Sequence, residues 1–124
     1  FRFWGSRTCS GDPRFAFESA VRTNDVLADT IANAHLWAVD KPLSPVLIDD
    51  IVGGVNAKFR ELKAAGYIIN GTCYPDPALN TTTALSAGKL HLNYDFTPVP
   101  PLEQLQFRTC ITDQYLIELL PKAA

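Results

Sequence analysis

Residues 44–66 read SPVLIDDIVGGVNAKFRELKAAG, and this stretch decides the fold. Ser44 is a strong helix cap and Pro45 suits the first helical position, where its missing N–H costs nothing. Ile48, Ile51, Val52, Val55, Phe59 and Leu62 recur at helical spacing and make one apolar face. Asp49 and Asp50 come early, and Lys58, Arg60 and Lys63 come late, an order that suits the helix dipole. Gly66 is placed to end the helix in a left-handed cap. Gly53-Gly54 interrupts a good helix former, at about 1 kcal/mol per glycine against alanine. Close approach of another backbone is the expected reason.

Working outward, Tyr67 to Cys73 reads as a strand and Pro75 to Gly88 as a polar loop with room for one helical turn. Lys89 to Phe96 is the clearest strand, with Leu90, Leu92, Tyr94 and Phe96 on one face and Lys89, His91, Asn93 and Asp95 on the other. Pro98, Pro100 and Pro101 break it, because proline cannot donate to a ladder. Leu105, Phe107, Thr109 and Ile111 alternate again and predict a further strand. On the N-terminal side, Arg2 to Thr8 and Phe15 to Val21 also read as strands. Thr23-Asn24-Asp25 then caps a first helix with the stripe Leu27, Ile31, Ala34, Ala38, and Pro42 stops it. The expected architecture is α+β: a two-layer sandwich of a mainly antiparallel sheet of about 4–5 strands with two main helices on one face.

The composition limits the function. The chain has 124 residues, 47% hydrophobic and 19% charged, with a formal net charge of -2. That is one globular domain with no basic stripe of the kind nucleic acid requires. No apolar run approaches the ~20 residues of a membrane helix. The three cysteines, at positions 9, 73 and 110, form no CxxC pair and are expected as reduced thiols. The sequons at Asn70 and Asn80 are read as chance matches. His35 and His91 have no ligand partners at metal-binding spacing, and Asp49-Asp50 is read as a solvated pair. No cofactor and no catalytic constellation is expected. The chain has no Met and opens on bare aromatics, so a piece of a longer protein is expected.

Several segments resemble one family. They are Phe3-Trp4-Gly5-Ser6-Arg7-Thr8-Cys9, Phe15-Ala16-Phe17-Glu18-Ser19, Ala38-Val39-Asp40-Lys41-Pro42-Leu43-Ser44-Pro45, Phe59-Arg60-Glu61-Leu62-Lys63-Ala64-Ala65-Gly66 and Asp95-Phe96-Thr97-Pro98-Val99-Pro100-Pro101-Leu102-Glu103. In order, they resemble the C-terminal part of the contractile tail sheath protein of temperate myophages, with R-type pyocin sheaths similar. The resemblance implies a structural protein without catalysis. Residues 1–112 would be the inner, tube-proximal domain and 113–124 a C-terminal arm. It implies a homopolymer of stacked hexameric rings around a tail tube, with baseplate and tail terminator as further partners and neither nucleic acid nor membrane. The location would be the virion tail, and the host cytoplasm during assembly. Two readings compete: a free-standing α+β ligand-binding or regulatory module, and an enzyme fragment lacking its partner residues.

The resemblance also bears on the apolar run that closes the chain. Tyr115, Ile117 and Leu119 share one face if it is a strand, while Leu116, Leu119 and Leu120 make a stripe if it is a helix, so pattern alone leaves both open. The implied arm is rooted near Thr112 and carries Asp113, Tyr115, Leu116, Ile117 and Leu119 to neighbouring subunits. In isolation it could fray, dock helically or swap between copies. Lys58, Arg60 and Lys63 are the clustered bases available to face a tube.

Overall fold

A computed structural model describes Phe1 and residues 5–122. Its helices are α1 (Glu18–Ala34), α2 (Pro45–Ala65) and the short α3 (Thr82–Ser86). Its strands are β1 (Ile68–Pro75) and β2 (Leu92–Pro98), and 3₁₀ turns occur at Pro13–Phe15, Leu36–Ala38 and Gln114–Leu119. The class is α+β, as expected.

Helix α2 forms as its sequence dictates. The Ser44 hydroxyl accepts from the Leu47 N–H at 3.2 Å, Pro45 opens the first turn, and Gly66 closes the last at φ 85°. Val55 and Phe59 are buried, with Val52 and Leu62 packed beside them. From Gly66 the chain turns directly into β1, which lies along α2 and pairs antiparallel with β2. Ile68 and Cys73 of β1 and Leu27 of α1 complete the buried core, and Ile31, Leu92, Tyr94 and Phe96 surround it. The Phe59 and Tyr94 rings sit 6.0 Å apart and tilted.

Gly71 is fixed by this packing. A Cβ there would stand 3.0 Å from the Asp95 carbonyl oxygen and 3.1 Å from the Phe59 ring. Gly53 and Gly54 are the reverse case. A Cβ on Gly53 would meet nothing within 4 Å, and one on Gly54 only the His35 imidazole at 3.8 Å. The close backbone expected there is absent among the described residues.

Four sequence expectations need correction. First, Phe15 to Val21 is not a strand: α1 begins at Glu18, five residues before the expected cap at Thr23. Ala20, Thr23, Asn24 and Leu27 continue one helical stripe, and the Glu18–Arg22 ion pair at 3.0 Å braces the first turns. Only Phe17, in an isolated bridge with Arg7, keeps strand pairing. Second, of the strand expected from Arg2 to Thr8, residues 2–4 lie outside the described residues and the remainder contributes that single bridge. Third, residues 105–111 form no strand; Phe107 and Ile111 are 87% and 97% exposed. Their alternation would fit a strand face, but Pro100 and Pro101 lead the chain away just after β2, and it pairs with neither edge of the sheet. Fourth, the sheet therefore has two strands among the described residues, not four or five.

Smaller expectations hold. The loop after Pro75 carries one short helix, and the strong strand runs Leu92–Pro98, slightly later than read, because Asn80 holds the His91 backbone at 2.8 Å. The expected end of α1 does not: the helix stops at Ala34, well before Pro42, where His35 caps it with Nδ1 2.7 Å from the Ile31 carbonyl oxygen, and Ala38 lies in the following 3₁₀ turn, off the helical stripe. Cys9, Cys73 and Cys110 are free thiols; burial pushes the Cys73 thiol pKa up.

Candidate interaction surface

Beyond β2 the chain runs over the surface from Val99 to the 3₁₀ turn at Gln114–Leu119, with no strand partner. Its root is held at two points. The Val99 N–H donates to the Tyr67 carbonyl at 3.5 Å, extending the strand pair. Glu103 receives two bonds from Arg7, at 3.1 and 2.7 Å, and one from the Ser6 hydroxyl at 3.4 Å. Such a two-pronged guanidinium–carboxylate pair fixes direction as well as distance. The hydrogen bonds to Arg7 hold the Glu103 carboxyl pKa below its usual value. Arg7 also lies 5.3 Å over the Phe17 ring, so the clamp rests on the start of α1.

Past Glu103, among the described residues, every hydrogen bond of this segment is local. Cys110 reaches Ile111, Gln114 reaches Thr112, and the turn closes on the Asp113 and Ile117 carbonyls. Tyr115, Leu116, Ile117 and Leu119 are all exposed, and the Asp113 side chain caps nothing. The run read as an arm is thus neither frayed coil nor strand here, but a short 3₁₀ turn off the core. Helical pieces this short have little stability of their own.

The three bases on α2 do not make one patch. At 100° per residue, Arg60 and Lys63 stand one turn apart on the exposed side, while Lys58 lies about 160° from Arg60. Lys58 pairs with Glu61 at 3.2 Å and borders an apolar hollow of about 310 Å³ lined by Val26, Leu27, Leu62 and Tyr67. A second hollow, about 600 Å³, opens beside Phe96 and Pro98, walled by Phe15, Phe17 and Ala20. Among the described residues no cluster of His, Cys, Asp and Glu could hold a metal ion. No helix is long and apolar enough to cross a membrane.

Sequence reasoning missed two contacts. One is the Arg7–Glu103 clamp, which joins residues 96 positions apart and leaves no local pattern. The other is Asn56, which sits among the apolar positions of α2 and turns its amide onto the backbone of Cys73 in β1, at 2.8 and 3.4 Å. A single amide among core-facing positions is the signal that could have flagged it.

The comparisons with known proteins agree on one family. Residues 10–112 match the phage tail sheath C-terminal domain. The chain is 59% identical over 120 residues to the tail sheath protein of Escherichia phage P2, covering 97% of this chain and 30% of that protein. It is 43% identical over 123 residues to a putative prophage major tail sheath protein of Pseudomonas aeruginosa, covering 99% and 32%. It thus spans about a third of the length of these curated relatives. Its fold matches the sheath complex of an extracellular contractile injection system, PVC, in the contracted state, with TM-score 0.79 and 14% identity over 90% of this chain and 33% of that one. The chain belongs to the phage tail sheath family, and its matched residues are that family's C-terminal domain.

Proposed function

We propose that this chain is the tube-proximal part of a contractile sheath subunit. Residues 1–112 form a rigid inner domain, and residues 113–124 act as an arm that links it to neighbouring copies. The subunits polymerise as stacked hexameric rings around a tail tube, between baseplate and tail terminator, and contract to drive the tube through the host envelope. Assembly takes place in the host cytoplasm, and the product is the virion tail. No catalysis, cofactor, nucleic acid or membrane enters this reading. One observation carries it: an apolar run stands wholly off the core, beyond a surface segment that Arg7 clamps at Glu103. An exposed run of this kind is costly to keep unless a partner covers it. Strand addition suits the mechanics, because repeated backbone hydrogen bonds, each netting about 0.5–1.5 kcal/mol, resist pulling while the root still bends. Contraction asks for rigid bodies with two stable interface arrangements, not for an active site.

The tube contact is proposed for the bases on α2, with Arg60 and Lys63 as the adjacent exposed pair and Lys58 nearly opposite Arg60 on the helix. Single exposed ion pairs are weak, so the effect rests on repetition around every ring. Electron microscopy of the complete gene product tests the whole reading. Long tubes or short cogwheel-like rings are expected, and charge reversal at Lys58 and Lys63 should reduce sheath formed on tubes. Uniform small particles from the unaltered protein would overturn it in favour of a free-standing module. Normal sheathed tails from the double variant would remove the tube assignment alone.

A further inference from the structure

Asn70-Gly71 reads as part of a chance sequon, but the fold gives the pair a chemistry of its own. From Gly71 to Pro75 the register of β1 against β2 is regular, and the shift in that register lies just before it, between Ile68 and Asn70. Within the regular part the Cys73 N–H points away from β2 and donates to the Asn56 amide oxygen at 2.8 Å. Two residues earlier, on the same side of the strand, the Gly71 N–H donates at 2.9 Å to Oδ1 of Asn70, the side chain directly before it. The Gly71 nitrogen therefore rests against the side-chain carbonyl with which it can close a ring. Three other asparagines are tied elsewhere: Asn56 to the Cys73 backbone, Asn80 to the His91 backbone and Asn93 to the Asp76 carboxylate. The Asn70 Nδ2 has no hydrogen bond among the described residues. Asn70 is exposed, beside an open cleft of about 390 Å³ that it lines with Gly71 and Asp95.

We propose that Asn70-Gly71 is a self-modifying site: in the folded chain the Gly71 nitrogen closes on the Asn70 side chain, releases ammonia and leaves aspartate or isoaspartate at position 70. The Gly71 nitrogen gives its proton to solvent base and bonds to Asn70 Cγ. The Cγ–Nδ2 bond breaks, and Nδ2 takes up a proton and leaves as ammonia. The cyclic imide then adds one water. Cleavage at Cγ restores the ordinary backbone with an aspartate; cleavage at the backbone carbonyl leaves the chain running through Cγ, as isoaspartate. No oxidant, metal or enzyme is needed. Contact between the reacting groups removes much of the entropic barrier, and glycine puts no side chain in the path of the attack. The register shift at Asn70 loosens the strand at the residue whose backbone must turn.

The two products differ in consequence. Aspartate puts a charge where an exposed amide stood and keeps the chain length. Isoaspartate adds a backbone carbon just before Gly71, where even a Cβ would stand 3.1 Å from the Phe59 ring. Gly71 then cannot keep both its place against Phe59 and its pairing with Phe96, so the modification loosens α2 from β1 as the protein ages.

Incubation of the complete gene product at mildly alkaline pH, followed by peptide mapping, tests this. The conversion of amide to acid at Asn70 should run within about tenfold of its rate in the same protein held in denaturant, because the fold keeps the reacting groups together. A folded-state rate more than about tenfold slower would show that the strand shields the site and would overturn the proposal. In Asn70→Gln, whose longer side chain must close a larger ring, the conversion should disappear; its persistence on that peptide would overturn the assignment to Asn70. Amide exchange then reads the consequence. The isoaspartyl form, separable from its aspartyl twin by chromatography, should exchange its β1 amides roughly tenfold faster than Asn70→Asp does, the scale of one lost hydrogen bond. Equal exchange in the two would overturn the loosening of α2 from β1.

Discussion

At the scale of single residues, the domain turns on a few side chains whose surroundings leave no alternative. Phe59 is buried at 2% exposure and its ring lies against the backbone at Gly71, so helix and strand approach as closely as a missing Cβ allows. Gly71→Ala should therefore destabilise the chain by about 1–3 kcal/mol, since a methyl 3.0 Å from the Asp95 carbonyl must push the strands apart or tilt Phe59. Chemical denaturation measures this, and a loss below about 0.5 kcal/mol would mean that the α2–β1 contact is looser than described. Glu103 works differently. It is exposed and adds little to core stability, but its two bonds to Arg7 decide where the surface segment leaves the domain. Its carboxyl pKa is lowered in the fold, so the clamp is intact above the ordinary glutamate range and loosens only as pH falls through that lowered value.

At the scale of elements, α2 was legible in the sequence because its boundary signals and its stripe agreed, with only Gly53-Gly54 against them. Cap, first-turn proline, apolar stripe, Lys63 in the last turn and terminal glycine all pointed one way, and all are satisfied. The start of α1 was not legible. Phe15, Phe17 and Val21 alternate as a strand would, but so short a window also fits a helix, and the stripe through Ala20, Asn24 and Leu27 wins because it reaches the core. The strand expected at Leu105–Ile111 failed for the opposite reason: its pattern was right, but a strand exists only with a partner, and pairing is not encoded in periodicity. The glycine pair in α2 gives a test at this scale. Gly53 is exposed and helical, with open space where a Cβ would stand, so Gly53→Ala should stabilise the isolated chain by about 1 kcal/mol. Thermal or chemical denaturation would show it, and a loss of stability would reveal packing against that face that is absent from this structure. If the stabilised variant then fails to build sheath in the complete gene product, the glycines serve an approach between subunits.

At the scale of the whole molecule, among the described residues the core ends with β2, and the chain after the Glu103 clamp contributes nothing to it. Leu27, Val55, Phe59, Ile68 and Cys73 come from α1, α2 and β1, with Leu92, Tyr94 and Phe96 of β2 packed against them. Residues Gln114 to Leu119 bury no side chain. Their stickiness marked them as a candidate interaction segment, but strand or helix could not be read, because so short a run fits both patterns and buries nothing against its own core. Deletion of residues 114–124 separates the two roles. The shortened domain should unfold within roughly 3 °C of the intact one, because at this size 1 kcal/mol moves the midpoint by about 4–8 °C and no buried contact is lost. On the arm reading proposed above, the same deletion in the complete gene product should abolish sheath while each subunit still folds. A domain that unfolds on deletion would make the run part of the core and end the arm assignment. A domain that stays folded, in a gene product that still builds normal sheath, would leave the fold account intact and move the connection between subunits to another surface.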